Sequence, residues 1–230
     1  MVVAAHAFEA RAAAGVGRYI AREPWGSWML YRGEIWDNPY VVIRCGPGKI
    51  AAAAAAQAAV QYFDPSVIFS FGTAGCPDLK VRTGTVTVAT TVVDAALSGV
   101  NSLPLELPDR FTPDATVTSH LLQVPGAEEC TLMCSEGHVV SPMWRPLLGD
   151  ESLPQLVALD WESAGVAQVA QMWGIRWAAL KVISDHGEEE RLRLLALVAK
   201  RPLQWGAEVL RRGYHTFAEG NWSARAEAKE

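Results

Sequence analysis

The segment that most constrains the fold runs from Leu159 to Asp185. Its second half, Trp177 to Ile183, is a short apolar run bounded by Gly174 on one side and by Ser184-Asp185-His186-Gly187 on the other. A strand covered on both faces needs no polar alternation, so this is how a buried parallel strand ends in a loop. In the first half, Ala164, Ala167, Gln168 and Gln171–Met172 recur at helical spacing, so a helix with one flank on a sheet is expected. A helix leading into a buried strand is an α/β pattern, and in open α/β sheets ligands bind beyond the carboxyl ends of the strands. Glu162 then stands at a helix start and Asp185 at the carboxyl end of a strand.

Two carboxylates placed this way can divide labour. One can grip ligand hydroxyls while ionised, and the other can hold or deliver a proton. The same positions also suit simpler roles: Glu162 favours the positive end of a helix dipole, and Asp185 can cap the next helix. Position alone leaves both readings open.

The residues themselves carry a resemblance. Asp160-Trp161-Glu162-Ser163-Ala164 resembles the D-M-E-[GAS]-A signature of the nucleoside phosphorylase superfamily, and Val182-Ile183-Ser184-Asp185 resembles its I-S-D signature. Gly46-Pro47-Gly48-Lys49 resembles the family's G-x-G-K segment, and Gly72-Thr73-Ala74-Gly75-Cys76 its G-[ST]-A-G-G loop, with Cys76 in place of the last glycine. Gly84-Thr85-Val86-Thr87-Val88 is similar to the G-D-[VI]-V-V strand, with Thr85 where an aspartate is common. Ser135-Glu136-Gly137-His138-Val139-Val140 resembles the S-G-D-x-F-[VI] segment that covers the purine. These segments follow one another in the family's order between Met1 and Gly187. The most similar branch is that of the 5′-methylthioadenosine/S-adenosylhomocysteine nucleosidases, while Phe8-Glu9-Ala10-Arg11 is also similar to the hopanoid-associated members.

The resemblance implies an α/β fold of three layers, a central twisted mixed β-sheet partly closed as a barrel and flanked by helices. It implies a single nucleoside phosphorylase-like domain over residues 1–230, with a polar, frayed tail at 220–230. It also implies cleavage of the N-ribosidic bond of a 5′-substituted purine nucleoside. Glu9 would orient the attacking water and Asp185 would protonate the base. Glu162 would hold the ribose hydroxyls. Trp161, Thr73, Ala74, Gly75, Pro47 and Ser184 would line the substrate site, with Val140 offering backbone groups to the base edge. Either His138 or Val139 stands where the base-stacking aromatic is usual, depending on register. Without the resemblance, Glu9 reads as a helix-start carboxylate and the glycines of 72–75 as a tight strand–helix turn. Phosphorolytic members carry an Arg at the position of Ser70, where a guanidinium forks onto phosphate. Its replacement favours water over phosphate as nucleophile. Arg44, near the sugar loop, keeps phosphorolysis open as an alternative, and a non-catalytic nucleoside-binding module is a third reading.

Composition excludes other classes. A net charge of −5 gives no basic footprint for nucleic acid. No apolar run approaches the length of a membrane span, and Met1 to Glu9 lacks the basic start and apolar core of a signal peptide. Cys45, Cys76, Cys130 and Cys134 make no metal-type spacing, so no metal or cofactor is expected, and reduced thiols in the cytoplasm are. Gly46 to Ile50 is no P-loop and Gly15-x-Gly17 no dinucleotide fingerprint. The aromatics of residues 18–43 (Trp25, Trp28, Tyr31, Trp36) read as core, as a homodimer or higher homo-oligomer contact, or as a wall for an apolar ligand tail. Residues 98–115 read as a loop excursion. Glu188 to Lys200 and Leu203 to Phe217 read as two helices broken at Pro202.

Overall fold

The structure is a computed structural model that describes residues 1–96, 109–136, 156–186 and 200–227. Among these residues lie ten strands and five helices. In chain order they are β1 (Val2–Ala4), α1 (Ala7–Ala14), β2 (Arg18–Trp25), β3 (Trp28–Ile35), β4 (Asn38–Arg44), α2 (Lys49–Phe63), β5 (Val67–Gly75), β6 (Val86–Asp94), β7 (Arg110–Phe111), α3 (Ala115–Leu122), β8 (Ala127–Cys134), β9 (Val157–Asp160), α4 (Ser163–Met172), β10 (Arg176–Asp185) and α5 (Lys200–Glu227).

The strands form one mixed sheet. Its path β10-β6-β8-β9-β5 is closed by the β10–β5 pairing into a five-stranded barrel, and β1, β4, β3 and β2 continue outward from β5. The seam β5–β10 is parallel, running from Val67↔Arg176 to Gly75↔Asp185. Closure removes the edges that the barrel strands would otherwise expose. The two strands at this seam are almost wholly buried, as the largely apolar run of β10 predicts.

Helices cover the sheet on both faces. On one face α2 and α4 pack through small residues, Ala52, Ala55 and Ala59 against Ala164, Ala167 and Ala170, over Ile68 and Leu132 of the sheet. On the other face Ala10 of α1, Val117 and Leu121 of α3 and Leu203 and Leu210 of α5 cover Phe69 and Leu180. This is the expected three-layer arrangement with a partly closed barrel.

Local expectations differ in places. Gly72 to Gly75 is not a turn: these are the last four residues of β5, and each faces a partner on β10. Small residues in a strand read as a turn from sequence, but here the neighbouring strand supplies the hydrogen bonds. The buried face of α4 is Ala164, Ala167 and Ala170, whereas Gln168 is exposed and Met172 is 75% exposed, so the expected stripe is rotated. Pro202 does not break a helix. It lies in α5, which runs unbroken from Lys200 to Glu227, so the tail from Gly220 is helical up to Glu227 rather than frayed. Residues 187–199, with most of the expected first helix, lie outside the described residues, as does most of the 98–115 excursion.

The close approach of α2 and α4 rests on Gly165. A Cβ there would sit 2.3 Å from the Lys49 carbonyl oxygen and 3.2 Å from the Ala53 nitrogen. Alanine at a helical glycine ordinarily gains about 1 kcal/mol from propensity. Here the clash with backbone outweighs it, so Gly165→Ala should lower the stability measured by denaturant unfolding by about 1–3 kcal/mol.

Candidate active site

The carboxyl ends of β1, β5 and β10 lie side by side, and each delivers one functional group. β1 turns at His6 into α1, which places Glu9 in the helix's first turn, 2% exposed. The Glu9 carboxylate accepts three hydrogen bonds. The His6 backbone N–H donates to Oε2 at 2.8 Å, and the Thr73 N–H and hydroxyl both donate to Oε1 at 2.8 Å. A Cβ on Gly72 would lie 2.8 Å from the same Oε1, so only glycine admits the carboxylate at this point of β5.

Asp185 ends β10 against the next stretch of β5. A Cβ on Gly75 would lie 3.3 Å from its Oδ1. The Ser184 hydroxyl lies 2.7 Å from Asp185 Oδ2 and 3.1 Å from the Ala74 carbonyl oxygen, and the Cys76 N–H donates to the Asp185 carbonyl at 2.9 Å. Glu9 and Asp185 are thus set against the last four residues of one strand.

Glu162 comes from the opposite direction, at the N-cap of α4 directly after β9. Its Oε1 accepts the Gly48 N–H at 2.9 Å, which ties the α4 start to the α2 start. Gly48 has φ +101°, a conformation suited to glycine, and this turns its N–H toward the carboxylate. The structure therefore brings Glu162, Gly48 and Pro47 together, and Glu9, Thr73, Ala74, Gly75, Ser184 and Asp185 together. Trp161 is 40% exposed at the β9–α4 junction. His138, Val139 and Val140 lie outside the described residues.

A group missed in the sequence joins these acids. Lys181, 2% exposed in the middle of β10, places its Nζ 2.9 Å from Asp160 Oδ2. The same oxygen accepts from the Ser163 N–H at 3.0 Å and the Ser163 hydroxyl at 2.5 Å, and Ser163 Oγ lies 3.0 Å from Ser70 Oγ. Burial alone would drive the ammonium toward its neutral form, but Asp160, then Glu162 and Glu9, raise its pKa above the ordinary lysine value. Glu162 feels the reciprocal field. Burial pushes its pKa up to about 7 against the pull of Lys181, while Asp160 and Glu9 push further upward and the Gly48 N–H pulls down. The signal for Lys181 was a single cation inside an apolar strand run. A second missed pair, Lys49 with Asp94, bonds at 2.9 and 2.7 Å and ties the first turn of α2 to the end of β6.

The thiols are not nucleophiles. Burial, then the Glu162 carboxylate, push Cys45 up to about 12, and burial does the same to Cys130. Among the described residues no cluster of His, Cys, Asp and Glu is arranged to hold a metal ion. No helix among them is long and apolar enough to cross a membrane.

The family model of the phosphorylase superfamily matches residues 3–211. The chain belongs to the phosphorylase superfamily. Curated relatives share its sequence at modest identity. A 5′-methylthioadenosine/S-adenosylhomocysteine nucleosidase of Actinobacillus succinogenes is 26% identical over 198 residues, covering 82% of this chain and 86% of the relative. The nucleosidase of the same description from Psychromonas ingrahamii is 24% identical over 171 residues, covering 68% and 72%. Among solved structures, the Helicobacter pylori 5′-methylthioadenosine/S-adenosylhomocysteine nucleosidase with butyl-thio-DADMe-Immucillin-A superposes with a TM-score of 0.80 at 16% identity, covering 94% of this chain and 97% of that one. The futalosine hydrolase of Helicobacter pylori gives a TM-score of 0.80 at 17% identity, covering 94% and 96%. In this member of the superfamily Asp185 ends β10, Glu162 follows β9 and Glu9 follows β1, while Lys181 lies in the middle of β10.

Two outcomes follow from the electrostatics. Glu162 has a folded-state pKa of about 7 against an ordinary value of 4.5, so the folded protein holds a proton there that the unfolded chain has lost. Stability therefore falls as pH rises from about 4.5 through 7, and the cost is fully present above 7. Glu162→Gln removes the charge, so its stability relative to the parent should be greater at pH 8 than at pH 5 by on the order of 2 kcal/mol in urea titrations at the two pH values. Lys181→Met should cost on the order of 3–5 kcal/mol in the same measurement, because Asp160 is left as an uncompensated buried charge.

Proposed function

We propose that this protein hydrolyses the N-ribosidic bond of a 5′-substituted purine nucleoside, releasing the free base. The observation that carries the reading is the convergence of Glu9 and Asp185 on residues 72–75 of β5, with Glu162 coupled to Glu9 through Lys181. The relatives named as 5′-methylthioadenosine/S-adenosylhomocysteine nucleosidases and the futalosine hydrolase neighbour support the substrate class.

Cleavage breaks the bond between C1′ of the ribose and N9 of the purine, and the electron pair leaves with the base. Positive charge develops on the sugar as in other glycosyl transfers. Asp185 gives a proton to N7, so the base departs neutral. Its carboxyl is held by Ser184, which is itself fixed on the Ala74 carbonyl. Glu162 accepts hydrogen bonds from the 2′- and 3′-hydroxyls and faces the sugar cation. This role needs its ionised form, and Lys181 opposes the burial that would keep it protonated. Water attacks C1′ from the face opposite the base, and Glu9, fixed by His6 and Thr73, takes its proton. Thr73, Ala74 and Gly75 present strand backbone to ribose and base. Pro47 bounds the sugar, and Trp161 supplies apolar surface at the rim.

Water rather than phosphate is favoured because Ser70, where phosphorolytic members carry an arginine, is 1% exposed and bonded to Ser163. It carries no charge to pair with a phosphate. We further propose that the protein works in the cytoplasm as a homodimer or higher homo-oligomer; the four buried free thiols suit a reducing compartment.

Incubation of the purified protein with 5′-methylthioadenosine, with and without inorganic phosphate, tests the reading. Free adenine should appear at the same rate in both, and dependence on phosphate would overturn hydrolysis. Asp185→Asn should lower kcat by about 10²–10⁴ while nucleoside affinity persists, the range typical of losing a general acid. Near-normal turnover in that variant would remove Asp185 from the acid role.

A further inference from the structure

The strand that carries Asp185 changes step just before it. Ile183 stands opposite Ala74, but Asp185 stands opposite Gly75, so Ser184 is an extra residue in β10. A regular ladder would set Ser184 against Gly75 and Asp185 against Cys76. The bulge instead brings the Asp185 carboxylate against Gly75, where a Cβ would lie 3.3 Å from Oδ1. Bulges re-aim side chains in this way and disrupt the local ladder as they do so. Other contacts have to hold the bulged end in place.

Three contacts hold it. The Cys76 N–H donates to the Asp185 carbonyl oxygen at 2.9 Å. The Ser184 hydroxyl lies 2.7 Å from Asp185 Oδ2 and 3.1 Å from the Ala74 carbonyl oxygen. One residue beyond the acid, His186 Nδ1 lies 3.0 Å from the Cys76 carbonyl oxygen. A carbonyl oxygen only accepts, so Nδ1 carries the hydrogen and donates it. The backbone of Cys76 thus gives its N–H to Asp185 and takes the N–H of His186. Cys76 is 0% exposed and packs in the same core as Ala74 and Ile183, so the anchor is rigid.

The side-chain contacts respond differently to proton transfer. Ser184 has one hydroxyl hydrogen for two acceptors. While Asp185 is ionised, that hydrogen belongs on Oδ2, where the acceptor is charged. When Asp185 is protonated on Oδ2, its O–H donates to Ser184 Oγ and the serine hydrogen turns to Ala74. The serine bond therefore reverses each time the acid gives up its proton. The His186 bond does not, because Nδ1 keeps its hydrogen in this tautomer and in the imidazolium, and its acceptor is backbone.

We propose that His186 is a positioning residue for the proton donor: its bond to the Cys76 carbonyl fixes the bulged end of β10, and so holds Asp185 in place against the departing base before and after the proton moves. The inference rests on the nucleosidase reading and adds to it a residue that acts through Asp185.

The test compares two substrates. 5′-Methylthioadenosine needs a proton on its base. 4-Nitrophenyl 5-methylthio-β-D-ribofuranoside loses 4-nitrophenolate, a stable anion that departs with its electron pair and needs none. kcat and KM are measured for both in the parent, His186→Ala, His186→Asn and His186→Gln. Asparagine places an amide N–H where Nδ1 stands, whereas glutamine reaches to the position of Nε2. With 5′-methylthioadenosine, His186→Ala should lower kcat by about 10–100-fold and change KM by less than about threefold, the pattern of a misplaced catalytic group. Its release of nitrophenolate should fall by less than about threefold, because that step draws on no general acid. His186→Asn should recover most of the lost kcat, and His186→Gln should not. An unchanged kcat in His186→Ala defeats this inference alone. Equal losses on the two substrates, a loss carried by KM, or no recovery in His186→Asn defeat it as well. If circular dichroism shows His186→Ala unfolded, the other two variants decide: higher adenine release by His186→Asn supports the proposal, and equal rates overturn it. A parent that releases neither leaving group overturns the nucleosidase reading, and this inference with it.

Discussion

A lysine buried in the wall of a barrel has to be neutralised by something equally buried, and in this protein that requirement organises the site. Lys181 sits in β10 with Asp160 at the end of β9 as its ion-pair partner. Two charges withdrawn from water gain from further hydrogen bonds, and Ser163 supplies two to Asp160 Oδ2, while Asp160 Oδ1 has no hydrogen-bond partner among the described residues. The pair therefore fastens β10 to the β9–α4 junction, and with it the N-cap that carries Glu162. Its field reaches further than its contacts. The ammonium opposes the protonation that burial would impose on Glu162, and its own charge is reinforced by Glu162 and Glu9. Burial and an ionised Glu162 are conflicting demands, and the buried cation opposes the protonation that burial favours.

The second constraint is steric. β5 ends in small residues because two acids must approach its backbone from different elements. Gly72 admits Glu9 and Gly75 admits Asp185, in each case at a distance that a methyl group would close. Ser70, two residues before Gly72 and so on the same face of β5, holds the Ser163 contact that belongs to the Lys181 network.

Much of this was legible in the chain. The run Trp177 to Ile183, apolar but for Lys181, reads as a buried strand because it is short and bounded by a glycine and a Ser-Asp pair, and β10 occupies it. The three-layer α/β fold and the family followed from the order of short segments. What misled was local chemistry with more than one solution. Gly72 to Gly75 reads as a turn because glycine is permissive, yet a neighbouring parallel strand turns the same residues into sheet. Pro202 reads as a break, yet α5 runs through it from Lys200 to Glu227. The buried stripe of α4 was displaced because glutamines at helical spacing carry no sign of which face meets the sheet.

The sequence by itself determined the elements and the kinds of residue offered to the site. Hydrophobic periodicity and acids at element ends are local properties, visible without partners. Only the tertiary structure decided what those acids do to each other. The pairing of β10 with β5 sets Asp185 against Gly75, the approach of α1 sets Glu9 against Gly72, and barrel closure buries Lys181 where it acts on Glu162. A pKa moved by burial and by charges remote in the chain is a property of assembled space, and no spacing along a polypeptide encodes it directly.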